Sequence, residues 1–188
     1  KTVQELIELA RKPGARLSYG SAGIGNTTHL TAALFNVRAG TQMTHVPYKG
    51  AGQAIAALLA SEVQVLFTTP ASSMSFIKAG KLRPLAYNHG KRLDVLPDVP
   101  TLREAGVPDT EFAGSWYGVF APPATPPALV TRLQQEIAYV ATQPAFKTRL
   151  AGMGLEPDGR PPQEFAAFVE RAIAQFREVV KIAGIEPQ

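Results

Sequence analysis

Leu17-Ser18-Tyr19-Gly20-Ser21-Ala22-Gly23-Ile24-Gly25-Asn26-Thr27-Thr28-His29-Leu30 is the stretch that decides how this chain is read. A short apolar strand runs into three glycines within six residues, small hydroxyl and amide side chains follow, and an amphipathic helix begins. Glycine lets the backbone turn tightly and approach a ligand closely. A helix N-terminus presents unpaired N–H groups and a partial positive charge. Strand, glycine-rich turn and helix start together make a socket for an anion.

The flanking sequence repeats this pattern. Val3, Leu6, Ile7 and Ala10 recur at helical spacing, so residues 2–12 read as a helix ended by Pro13-Gly14. Leu30, Leu34 and Val37 stripe a helix from Thr27 to Arg38, with Gly40 as its stop. Met43–Val46 reads as a strand closed by Pro47, residues 50–60 as an Ala-rich helix, and Val63–Phe67 as a strand. Ala71–Ala79 reads as a short helix. Leu82–Tyr87 reads as a strand in which Pro84, lacking an N–H, marks an edge or a bulge. Strands alternating with helices predict a parallel sheet covered by helices, and ligands of such sheets sit outside the carboxyl ends of the strands. Three loops leave those ends: Gly20–Asn26, Pro47–Gly50 and Thr68–Ser73, all rich in hydroxyls, amides or backbone donors.

Residues 88–114 are turn-rich and mark a boundary. Trp116–Ala121 reads as one further strand. Three helices follow: one introduced by Pro126-Pro127 and faced by Leu129, Leu133, Ile137 and Val140, one over Pro144–Met153, and a long one after Pro161-Pro162. One strand cannot make a sheet, so this segment is expected to complete a sheet whose other strands lie elsewhere.

Composition narrows the classes. The chain has 188 residues, 45% of them hydrophobic and 18% charged, as expected of a globular protein with a real core. No apolar run approaches the ~20 residues that span a bilayer. The net charge of +4 is spread singly and in pairs, without the stripe or cluster that nucleic-acid binding needs. With no cysteine there are no disulfides, thiolate metal sites or cysteine nucleophiles. The chain opens at Lys1, without Met and inside a helical pattern, so a processed or truncated product, with any export signal lost, is expected.

The glycine loop fits no catalytic fingerprint in full. Gly20, Gly25 and Thr27 fall in phosphate-loop positions, but Asn26 stands where the lysine should be. Gly23 and Gly25 begin a dinucleotide motif, but Thr28 replaces its third glycine. Ser21 has glycine at −1 and +2, but Tyr19 at −2 breaks the nucleophile elbow. A ligand-free tight turn remains an alternative to anion binding. His29 reads as a half-buried imidazole packing on a neighbouring strand, His45 as packing within its strand, and the three histidines make no metal set. Tyr48 could donate its hydroxyl to an anion. Lys49 could add charge or point to water. Thr68 and Thr69 end a strand, where capping the next helix is their plain role. Trp116-Tyr117 reads as a core pair.

Taken together, Leu17–Gly23, His29-Leu30, His45-Val46-Pro47-Tyr48-Lys49-Gly50, Ala79–Arg83, Leu96-Pro97-Asp98-Val99-Pro100-Thr101, Glu104-Ala105-Gly106 and Ser115-Trp116-Tyr117-Gly118 carry a resemblance across nearly the whole chain. The sequence resembles the periplasmic solute receptors of tripartite tricarboxylate transporters, also called Bordetella uptake gene proteins. The resemblance implies an α/β, type II periplasmic-binding-protein-like fold that closes two lobes on a ligand. It also implies no catalysis, no cofactor and no metal. Small carboxylates (di- or tricarboxylates, amino acids, aromatic acids) would be held by backbone N–H groups, hydroxyls and waters and passed to a membrane permease. The expected contacts are Ser21, Ala22, Gly23, Gly25, Asn26, Thr27, Tyr48, Lys49, Gly50, Thr68 and Thr69. Residues 1–112 would form a complete ligand-binding lobe, and 113–188 the C-terminal part of the other lobe, lacking its leading strands.

This chain departs from the resemblance in two ways. It lacks the leading segment of the family, which predicts weak ligand binding and apolar surface open to dimerisation or strand exchange. Thr68 also stands where many members carry an acid, which disfavours an amino-acid ligand. The ligand-sensing domain of a transcription regulator shares the two-lobed architecture and is the alternative function; it would carry a DNA-binding helix pair and no export signal.

Overall fold

The structure, a computed structural model, describes residues 1–185. Helix α1 (Val3–Ala10) starts from a capping box in which Thr2 accepts the N–H of Glu5 and the Glu5 carboxylate accepts that of Thr2. It buries Val3 and Ile7. Strand β1 (Ser18–Ser21) is followed by helix α2 (Thr27–Ala39), whose N-cap Asn26 accepts the N–H of Thr28. Gly40 ends α2 at φ 58°, a left-handed conformation that glycine adopts without strain. Strand β2 (Thr44–Pro47), helix α3 (Ala51–Leu59), strand β3 (Val65–Leu66) and helix α4 (Pro70–Lys78) complete the pattern.

The sheet has the order β2-β1-β3, and both pairings are parallel. Ser18 to Ser21 pair with Thr44 to Pro47, and Tyr19 and Gly20 pair with Val65 and Leu66. Backbone bonds from Gln64 N–H to Ser18 O and from Phe67 N–H to Gly20 O extend the contact beyond the two regular residues of β3. The helix-covered parallel sheet expected from the alternation is present. Its core joins Val3 and Ile7 of α1, Tyr19 of β1, Ala32 and Phe35 of α2, and Met43, Leu102 and Val107. Phe35 is 1% exposed, and its truncation to alanine would cost about 3–5 kcal/mol.

Two expected strands do not form. Residues 82–86 run without a ladder, and Tyr87 makes only an isolated parallel bridge to Thr101. Pro84 has no N–H to give, while Leu85 and Ala86 still pack on the same core as Val65 and Phe67. Residues 116–121 are likewise not a strand. Among the described residues, nothing from 111 to 121 joins a backbone–backbone hydrogen bond.

Residues 116–120 nevertheless lie against the long C-terminal helix. The rings of Trp116 and Phe120 lie 5.6 and 5.5 Å from that of Phe165. A Cβ at Gly118 would sit 2.5 Å from the same ring, so only glycine admits the approach. Tyr117, Val119 and Phe120 are 72%, 73% and 68% exposed, so Phe120 meets Phe165 while most of its surface stays open. Tyr117 is therefore not in the core, as the sequence had suggested; Trp116 is half-buried against Phe165 and Phe168.

Helices α5 (Pro127–Thr142), α6 (Pro144–Ala151) and α7 (Pro162–Ile182) each begin on proline. α5 and α6 bury no residue fully, and the stripe Leu129, Leu133, Ile137, Val140 stays open. α7 docks on the sheet-bearing half, where Val179 packs with Leu30 and Leu34 of α2 and Phe176 meets Phe112 edge-on.

Candidate functional site

All three strands end at one edge of the sheet, so the loops after them share that edge. The first loop is built by its own side chains. The Ser21 Oγ accepts the N–H of Gly23 (3.2 Å), and the Thr28 Oγ1 accepts that of Ala22 (3.0 Å). The His29 Nδ1 accepts the N–H of Gly25 (3.1 Å). Asn26 N–H bonds the carbonyl of Gly23. The N–H groups of Ile24 and Thr27 have no protein partner among the described residues. Fewer backbone donors are therefore open here than the glycine pattern suggested, because neighbouring side chains already fix the turn. Gly23 and Gly25 sit at φ 132° and 73°, where side-chain-bearing residues would be strained.

The second loop touches the first. Tyr48 N–H donates to Ser21 O at 3.1 Å, and a Cβ on Gly23 would lie 3.5 Å from Tyr48 O. The phenol of Tyr48 turns to the Glu62 carboxylate; partial burial first, and then that charge, hold its pKa above the usual value. Lys49 is exposed. Gly50 starts α3 at φ 113° without a side-chain cap, leaving that helix N-terminus open. In the third loop Thr69 caps α4, with its Oγ1 2.9 Å from Ser72 Oγ, and Ser73 Oγ donates to Thr69 O. Thr68 makes no cap: its Oγ1 is buried without a partner.

The structure thus brings Ser21, Ala22, Gly23 and Tyr48 into one contiguous patch. It places Asn26 and Thr27 at the start of α2 beside them. Thr27 Oγ1 also lies 2.6 Å from Ser115 Oγ, which ties the segment after residue 113 to the first loop. Thr68 and Thr69 stand beyond β1 at the end of β3. They border an open cavity of about 2010 Å³ that runs to Trp116, Ile137 and Phe165. That exceeds the ~300–1,000 Å³ of a small-molecule pocket. Of the three loops only the third borders this cavity; Ser21–Thr27 and Tyr48–Gly50 do not line it, and most of its wall is the uncovered apolar face of the C-terminal helices. Thr28, Ser115 and Asn88 border it too and escaped the sequence reading. For Asn88 the signal was present: it follows 82–87, whose carboxyl end was not counted among the loops.

A second constellation lies beneath the first loop. The imidazoles of His29 and His45 stack at 3.9 Å and 8°, and His45 stacks on Tyr19 at 5.0 Å. Both histidines pack as expected from the sequence. The His45 Nε2 stands 2.7 Å from Ser21 Oγ. Burial, followed by the neighbouring His29, pushes the pKa of His45 down to about 4, and burial also lowers that of His29. A serine and a neutral imidazole at this distance have the contact of a nucleophile and its base. Ser21 is 0% exposed, however, and its Oγ already holds the loop through Gly23 N–H, so no substrate reaches it. Among the described residues no three His, Asp or Glu side chains gather where they could hold a metal ion, and no helix is long and apolar enough to cross a membrane.

Fold and site define a class: an α/β unit with polar loops collected at the carboxyl ends of parallel strands. Residues 1–185 match the family described as "Tripartite tricarboxylate transporter family receptor". The chain belongs to that family. It is 32% identical over 184 residues to a UPF0065 protein of Bordetella pertussis, covering 98% of this chain and 57% of that one. The structure of R. palustris Rpa4515 with adipate matches with a TM-score of 0.94 and 36% identity, over 100% of this chain and 62% of that one. MatC from Rhodopseudomonas palustris with bound malate matches at 0.82 and 29%, over 96% and 62%. The chain therefore spans little more than half the length of such relatives.

Proposed function

We propose that this chain is the ligand-binding part of a periplasmic solute receptor for a small di- or tricarboxylate or aromatic acid, which it delivers to the membrane permease of a tripartite transporter. The observation that carries the reading is the match, over the whole chain, to a structure holding adipate. The malate-bound neighbour supports the same ligand class. Residues 1–112 act as one lobe, and 113–188 contribute to the other. The ligand carboxylate meets the loops from Ser21, Tyr48 and Thr68, and no chemistry follows binding. Thr68 offers a hydroxyl where an ammonium group would need a carboxylate, so ligands without an amino group are favoured.

Binding by this chain alone is weak. A micromolar receptor has about −8 kcal/mol of net binding energy. Charge-assisted hydrogen bonds contribute ~1.5–3 kcal/mol each, against roughly 4 kcal/mol or more lost on association. A site that draws on one complete lobe loses several of those bonds. Calorimetry with adipate, citrate and benzoate is expected to give dissociation constants of about 1 mM or weaker, with glutamate weaker still. Micromolar binding would overturn the division between lobes, and no binding of any carboxylate would overturn the receptor reading itself.

A further inference from the structure

The first loop leaves the backbone N–H groups of Ile24 and Thr27 open, and between them in the chain stands Gly25 at φ 73°. The bond that holds Gly25 comes from His29, in the first turn of α2, whose Nδ1 accepts the Gly25 N–H at 3.1 Å. An Nδ1 that accepts has no lone pair left for a proton, so the neutral ring carries its hydrogen on Nε2. The ring is 8% exposed and lies flat on His45, 3.9 Å away at 8°. His45 reaches the loop as well, through Ser21 Oγ at 2.7 Å, and that oxygen accepts the N–H of Gly23. The two imidazoles answer a proton differently. A hydroxyl can donate or accept, so Ser21 can turn its proton toward Gly23 O, 3.3 Å away, and accept from a protonated His45. A backbone N–H only donates. A proton on His29 Nδ1 therefore sets two donors against each other and releases Gly25.

We propose that His29 is a positioning residue of the carboxylate loop: its neutral imidazole holds Gly25 and so keeps the N–H groups of Ile24 and Thr27 arrayed for the ligand, and its protonation unlatches the loop and weakens binding. This deepens the receptor reading and rests on it. The titratable groups packed about the pair are the two imidazoles and Tyr19 of β1, which stacks on His45 and whose phenol burial pushes up to about 12, so it stays neutral. α7 reaches α2 through Val179 on Leu30 and Leu34, and Ser115 meets Thr27, both without charge. Among the described residues no carboxylate, lysine or arginine shifts either ring, and burial lowers the pKa of His29 below 6.5. The latch is thus closed above that value and is lost as pH falls through the folded pKa. A bound anion pulls the other way, since its charge favours an imidazolium nearby. The geometry decides between the two: the Nδ1 lone pair is committed to Gly25, and a charged ring would be buried against a second imidazole.

The test is the affinity for adipate from about pH 7.5 to about pH 5, followed by NMR titration of the whole chain and two variants. His29→Phe keeps a flat ring on His45 and removes the acceptor. His29→Asn brings an oxygen close to the Nδ1 position and does not titrate. The carboxyls of adipate titrate alike in every titration, so comparison between proteins cancels them. Across the range the parent is expected to lose about fivefold more affinity than His29→Asn, the effect of one hydrogen bond. At the upper pH His29→Phe binds about fivefold more weakly than the parent, and His29→Asn recovers part of that loss. Should His29→Phe not fold, the ring nitrogen shifts of the parent decide alone: they show Nε2 protonated at the upper pH, and the Gly25 amide moves as His29 titrates. Nδ1 protonated at that pH, equal losses in the parent and His29→Asn, or affinity that rises in the parent relative to His29→Asn on acidification overturns the role of His29 alone. Failure of every carboxylate to bind the parent overturns the receptor reading, and this role with it.

Discussion

At micromolar concentration this chain is expected to run in light scattering as a dimer or larger species, and Tyr117→Lys combined with Val119→Lys to return it to a monomer. The expectation follows from what residues 111–121 leave unmade. Their backbone groups have no backbone partners among the described residues, while Trp116, Gly118 and Phe120 anchor one side of the segment on Phe165. The result is an unpaired edge that exposes Tyr117, Val119 and Phe120. Such edges template pairing with another chain. The apolar stripe of α5 lies open on the same half of the molecule. Covering a Val- or Leu-sized side chain contributes ~1.5–3 kcal/mol, so about four to eight such residues are needed to offset the association cost and hold a micromolar pair. Both substituted positions are exposed, so the variant keeps the Phe165 contacts and tests the surface rather than the fold. A parent chain that stays monomeric as concentration rises would contradict the prediction.

Acidification from about pH 7.5 to about pH 4.5 is expected to lower Tm by about 4–8 °C, and His45→Gln to remove much of that fall. His45 has a folded pKa of about 4, against 6.5 for the free side chain. The folded pKa is depressed, so between these values the unfolded chain binds more protons than the folded one. Stability then rises with pH: it is fully present above the unfolded pKa and is lost as pH falls through the window toward the folded one. His29, lowered by burial in the stack, contributes with the same sign. The loss is about 2 kcal/mol, less than the full ~1.4 kcal/mol per pH unit would give, because the His45 ring is only half-buried. Glutamine keeps a polar partner for Ser21 without the titration. A Tm that stays flat over this range, or falls equally in His45→Gln, would contradict the account.

The parts of the fold that were legible in the sequence are those fixed by local chemistry. Gly40 as the stop of α2 and Thr69 as a cap for the helix after Pro70 each act within one turn of chain, and the structure places both as read. The strands at 18–21 and 44–47 declared themselves by their position between helices. The ladders expected at 82–87 and 116–121 did not form, because a strand is completed by its neighbour and sequence pattern shows only half of that pair. In the site, the glycine turn was legible, but not that Ser21, Thr28 and His29 would engage the N–H groups of Gly23, Ala22 and Gly25. The Ser21–His45–His29 stack joins residues from β1, β2 and α2 with no spacing that a motif could capture.

The central claim is that a carboxylate is held at the carboxyl ends of β1, β2 and β3. The most direct test is to follow backbone amide shifts while adipate is titrated into the assigned chain. The account predicts saturable shifts at Ile24, Thr27, Gly50, Thr68 and Thr69, with the opposite edge of the sheet unmoved. Shifts confined to exposed lysines and arginines, or spread evenly along the chain, would contradict it.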